Sequence, residues 1–154
     1  MKRLLTVIAI LFTLTIFTTV NLYSQIVINE YSVSNLSTVV DNYGNYEDWI
    51  ELYNVGTAIT DIGGYFLSDD PDEPTKWQFP EGSTIQGHGF VRVWASGRNE
   101  VSGSHYHTSF KLSQTKDNTE SIVLSDAFGL VLDALQLEIT QKGHSRGRMT
   151  NGGS

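Results

Sequence analysis

The sequence has no cysteine, only three prolines, and, beyond its first two dozen residues, no apolar pattern of helical period over eleven or more positions. Without cysteine there can be no disulfide, no thiolate metal site and no lipid anchor on a cysteine, so the folded chain must be held by its core alone. Positive charge is scarce as well. Ten Lys and Arg face 17 Asp and Glu, and two of the ten, Lys2 and Arg3, stand at the very start. Loss of residues 1–24 leaves eight basic residues against 17 acidic ones, a net charge of −9. A chain so acidic repels phosphate backbones, and nucleic-acid binding is not expected. Internal repeats and low-complexity linkers are also lacking.

What is present begins with a leader. Lys2 and Arg3 precede an uncharged run from Leu4 to Val20, and a short polar segment follows to Ser24. This order is that of a secretory signal peptide over residues 1–24, cut after Ser24, and it predicts export to the envelope or the exterior. The run lies at the low edge of what spans a bilayer, so no membrane span is expected after cleavage. Residues 25–154 then form one domain, long enough for a single two-layer core.

Fourteen glycines, three Trp, seven Tyr and seven Phe, with many Val, Ile and Thr, tilt that domain toward an all-β fold. Short apolar segments recur between turn signals at the spacing of a sandwich. QIVINEYSV (25–33) alternates Ile26, Ile28 and Glu30 against Val27, Asn29 and Tyr31, and DWIELYNV (48–55) sets Ile50 and Leu52 against Trp49, Glu51 and Tyr53. GGYFLSD (63–69), KWQFP (76–80), FVRVWASG (90–97, with Val91, Val93 and Ala95 on one face) and HTSFKLS (107–113) follow, with a loop expected over 98–106. SIVLSDAFGLVLDALQL (121–137) predicts a hairpin whose loop, Ser125 to Gly129, ends on a glycine where a positive φ is cheap. About eight strands result. The glycine-rich, basic tail QKGHSRGRMTNGGS (141–154) ends without another apolar run, so a closing strand is expected to lie beyond it.

In this order VINEYSVSN, DNYGNYEDWIELYN, GYFLSDDPDEPTKWQFP, GSTIQGHGFVRVWASG, HTSFKLS, ESIVLSDAFGLVLDAL and HSRGRMTNGG resemble the lamin tail domain as it occurs in exported bacterial proteins, over residues 26–153. The resemblance implies an immunoglobulin-like β-sandwich with no catalytic activity and no cofactor, serving as an accessory module beside other domains. It also implies a final tryptophan-containing strand after Gly153. The nucleic-acid contacts of nuclear lamins are not carried over, because fold does not imply function.

Four clusters offer chemistry, and each has a plainer reading. Glu47, Asp48 and Glu51 surround Trp49, yet an extended strand sends Asp48 and Glu51 to opposite faces and separates Glu47 from Glu51 by about 13 Å, too far for a glycosidase pair. Asp48 is expected to accept backbone N–H bonds and Glu51 to face solvent. Asp69, Asp70, Asp72 and Glu73 supply hard oxygens but lack the glycine-punctuated spacing of an EF-hand, so a solvated turn is expected. His105 and His107 form an H-x-H pair without an evident third ligand. Lys142, His144, Arg146 and Arg148 are the chain's one basic patch and read as a connecting loop. No catalytic, cofactor or metal residue is therefore assigned. The function expected is a secreted, non-catalytic interaction or adhesion module of a larger envelope or extracellular protein, with a protein or cell-surface partner. The rival is a carbohydrate-binding accessory module of an attached enzyme, with Trp77, Trp94 and Tyr106 stacking on sugars.

Overall fold

A computed structural model describes residues 25–114 and 120–153, so the expected leader at 1–24 lies outside the described residues. Among those residues there are twelve strands and no helix. They are β1 (Ile26–Ser32), β2 (Trp49–Asn54), β3 (Thr60–Asp61), β4 (Phe66–Ser68), β5 (Trp77–Gln78), β6 (Thr84–Ile85), β7 (Phe90–Trp94), β8 (Glu100–Ser102), β9 (His105–His107), β10 (Ser121–Ser125), β11 (Val131–Gln136) and β12 (Arg146–Gly147). A six-stranded sheet runs β12-β1-β2-β7-β9-β8, a four-stranded sheet runs β11-β10-β4-β5, and β3 pairs with β6. The sheets pack as a sandwich.

The period-two pattern explains the core. Ile26, Ile28, Ile50, Leu52 and Val93 project from the larger sheet onto Leu67, Ile122 and Leu124 of the smaller one, all at most 1% exposed. Each such side chain contributes about 1.5–3 kcal/mol on leaving water. Val91 and Val93 of β7 and Ala95 just beyond its end share the core face as their spacing requires.

In β1 the alternation breaks. The register passes from Ile28↔Leu52 to Glu30↔Glu51, so Asn29 is an extra, bulged residue. A bulge shifts the phase by one, and Tyr31 and Val33 therefore join Ile26 and Ile28 in the core rather than lying with Val27. The expected eight strands become twelve because polar sequence pairs where no apolar alternation announces it. Residues 98–106, expected as a loop, hold β8 and β9, and β9 runs parallel to β7 (Val93↔Tyr106, Trp94↔His107). The strand expected over 107–113 ends at His107, and beyond it Phe110 and Leu112 are buried while Lys111 makes a single bridge to Ser96.

The tail, expected to remain a loop, supplies β12, which lies antiparallel on β1 (Glu30↔Gly147, Tyr31↔Arg146). The β10–β11 hairpin forms where it was placed, and Gly129 turns it at φ +82°.

Candidate functional site

The acidic stretch around Trp49 is divided among three tasks. Asp48 accepts the N–H of Asn35 at 3.0 Å and so ties down the loop between β1 and β2; burial raises its pKa against the pull of that bond. Glu47 pairs with Lys111 at 3.3 Å. Glu51 projects from the outer face of β2, opposite Glu30 on β1 and Arg92 on β7 in register. It accepts a bond from Asn29 Nδ2 at 3.3 Å and lies 3.8 Å from Arg92, while Glu30 is bonded to Ser145. The two carboxylates opposed across the strands are thus held by different partners.

The acidic loop is an organised turn. Asp69 pairs with Lys76 at 2.6 Å, Asp70 Oδ1 accepts the N–H of Asp72 at 2.9 Å, and Ser68 Oγ both donates to and accepts from the Asp70 backbone. His107 is buried, with Nδ1 3.0 Å from Ser96 Oγ and Nε2 2.8 Å from Asn42 Oδ1, whereas His105 is exposed. Both ring nitrogens of His107 are engaged, and burial lowers its pKa. Among the described residues no three His, Cys, Asp or Glu converge as metal ligands.

Two members of the basic patch are neutralised. Arg146 meets Glu138 at 2.6 Å and Arg148 meets Asp133 at 2.8 Å. The sugar-stacking aromatics are corrected too. Trp77 and Trp94 are only 5% and 4% exposed, and Tyr106 is half-buried with its ring against Phe79. Their size made them look like a platform, but a two-layer fold spends its largest rings on packing.

Three features escaped the sequence reading. The first is Glu120, whose carboxylate accepts the Ser113 N–H and which burial pushes up to about 7. The second is the hairpin tip. Asp126 Oδ1 accepts the N–H groups of Phe128 and Leu130, both at 2.9 Å, and the Asp126 and Leu130 backbones bond each other. This cage holds Phe128 out at 96% exposure, with Leu130 and Val131 exposed beside it. The third is a cavity of about 360 Å³ beside β7, lined by Thr84, Phe90, Arg92, Trp94, Ser104 and His105 among others. A run of single polar and aromatic letters spread over residues 84–106 gives no motif for it.

Among the described residues no helix is long and apolar enough to cross a membrane. No curated protein matches the sequence. The family model of the Lamin Tail Domain matches residues 20–138, more than half the chain, and this agrees with the all-strand, immunoglobulin-like sandwich described above. The chain belongs to the lamin tail domain family, a family of non-enzymatic interaction domains.

Proposed function

We propose that the chain is a secreted, non-catalytic interaction module of a larger envelope or extracellular protein, docking through the β10–β11 hairpin onto a protein at the cell surface. The observation that carries this reading is the rigid apolar tip. An aromatic side chain held almost wholly in solvent, on a backbone already ordered by N–H bonds to the Asp126 carboxylate, needs little further loop ordering to bury in a partner, which is the character of a binding hot spot. The leader-like sequence of residues 1–24 supports export. The rival carbohydrate reading loses its stacking platform, since Trp77 and Trp94 are buried.

Labelled chain incubated with intact cells tests the reading. Saturable, protease-sensitive binding that Phe128→Asp weakens at least about tenfold, as loss of a hot-spot side chain does, is expected. Equal binding by both forms would remove the hairpin tip from the interface.

A further inference from the structure

Arg92 differs from the arginines of the tail. Arg148 spends its fork on Asp133, on the Ile28 carbonyl and on the Gly153 carbonyl. Among the described residues the guanidinium of Arg92 makes no hydrogen bond: it forms only a long ion pair with Glu51, at 3.8 Å, and its Nε is buried without an acceptor. It is nonetheless fixed in place. Its Cζ lies 4.6 Å over the Trp49 ring and 5.9 Å from that of Trp94, so two buried indoles, paired across β2 and β7, hold the fork from beneath. With its side chain 37% exposed, the cation borders the cavity beside β7. Nε is buried beyond a ligand's reach, so the outer Nη groups, which make no hydrogen bond among the described residues, are the donors that can meet a carboxylate bidentately.

The rest of the lining narrows the class of ligand. Thr84 and Ser104 bring hydroxyls and His105 an exposed imidazole, and Phe90, 46% exposed, offers a ring face. A bare carboxylate needs only the fork. Hydroxyl partners and an apolar ring face around that fork suit a carboxylate borne on a hydroxylated ring, and about 360 Å³ falls in the range of small-ligand sites. We infer that Arg92 and this cavity bind a uronic-acid residue of an acidic glycan. The net negative charge of the chain opposes long polyanions, so the fit is to a short uronate segment or chain end. This inference concerns a surface separate from the hairpin tip and does not depend on it.

Calorimetric titration of the purified chain decides, with digalacturonic acid as the probe, galactobiose as its neutral counterpart, and a short glutamate-rich peptide as a third ligand. The ionic strength is set to about 0.15 M, where distant exposed charges are screened. The expected result is one saturable site for digalacturonic acid, with galactobiose at least about tenfold weaker, the size of a lost charge-assisted hydrogen bond. Arg92→Gln lowers affinity for the acid by a similar factor, and Arg92→Lys, which keeps the charge without the fork, retains part of it. Phe128→Asp binds the sugar as the parent chain does, which separates this site from the docking reading. Because Arg92 also packs on Trp49, the exposed rim variant His105→Ala serves as a second test and weakens the acid several-fold, consistent with one lost hydrogen bond. Absence of digalacturonate binding, equal affinity for the two sugars, unchanged binding by folded Arg92→Gln, or preferential Arg92-dependent binding of the peptide overturns the inference.

Discussion

Arg148 and Asp133 meet at 2.8 Å and together occupy both peptide groups of Ile28: Asp133 Oδ2 accepts its N–H at 2.8 Å and Arg148 Nε donates to its carbonyl at 2.9 Å. β12 covers β1 only at Glu30 and Tyr31, so this ion pair takes the place of a neighbouring strand where the ladder stops. An uncovered strand edge is a template for pairing with other chains. Asp133→Ala leaves the Ile28 N–H and the Arg148 fork without their acceptor and is expected to cost about 2–3 kcal/mol, as hydrogen bonds to charged groups do. Urea denaturation with unchanged slope checks the value. The double variant with Arg148→Ala should cost less than the two single losses together, because both act through one network.

Glu120 sets a pH dependence of opposite sign to that of most carboxylates. Burial raises it from an ordinary 4.5 to about 7 in the folded chain, in spite of the Ser113 N–H that favours its charged form. Between those values the folded state holds more protons than the unfolded one, so stability falls as pH rises from about 4.5 to about 7. After discounting for its partial exposure, the loss is on the order of 1 kcal/mol. Glu120→Gln should flatten this part of the curve, read as melting temperature against pH.

How much of this was legible depends on whether side-chain pattern or polar pairing decided the geometry. Ile50, Leu52, Val91, Val93 and the β10–β11 hairpin follow from period-two burial and a turn glycine, and they stand where the letters placed them. Asn29 does not. Its side chain donates to Glu51 on the neighbouring β2, and the tail completes the hold, with Asn151 accepting from Nδ2 and the Gly152 N–H donating to Oδ1; these last contacts, more than 120 residues apart, leave no local signal. The same reason hides β12, a two-residue polar strand, and β8, whose residues are all exposed. The Arg92 cavity draws on β6, β7 and β9, so no spacing along the chain could reveal it. Trp77 and Trp94 were misjudged because aromatic letters are alike whether they stack on a ligand or fill a core.

His107 predicts a second pH effect, now at the acid side of neutrality. Burial lowers its pKa, and with Ser96 and Asn42 on its two nitrogens the ring is held neutral. The unfolded chain therefore takes up a proton first as pH falls through about 6.5, and stability is lost there. Asp41 and Glu100 favour the charged imidazole, but burial outweighs them, and Arg98, stacked on Tyr43 at 4.6 Å, works with burial. His107→Gln should reduce the loss of melting temperature between pH 7 and pH 5, while lowering stability at pH 7 by about 1–3 kcal/mol because a buried polar network is disturbed. Nuclear magnetic resonance titration of the imidazole checks the cause: a ring that protonates at or above the ordinary value would refute it.

The hairpin tip separates a residue that presents from a residue that folds. Phe128 is 96% exposed, so Phe128→Asp should leave stability within about 0.5 kcal/mol of the parent, as surface changes usually do. Gly129, at φ +82°, lies in the left-handed region, and a Cβ there would also press on Thr75 Cγ2 at 3.3 Å. Gly129→Ala should therefore cost about 1–2 kcal/mol. Asp126→Ala removes the acceptor of two N–H bonds and should cost about 1–3 kcal/mol through the same turn. If the tip is built to hold Phe128 in place, Asp126→Ala weakens cell-surface binding with Phe128 still present, and hydrogen exchange at Phe128 and Leu130 rises in step. Tight binding by Asp126→Ala, with those amides exposed to exchange, would show that the partner needs the aromatic ring and not the cage beneath it.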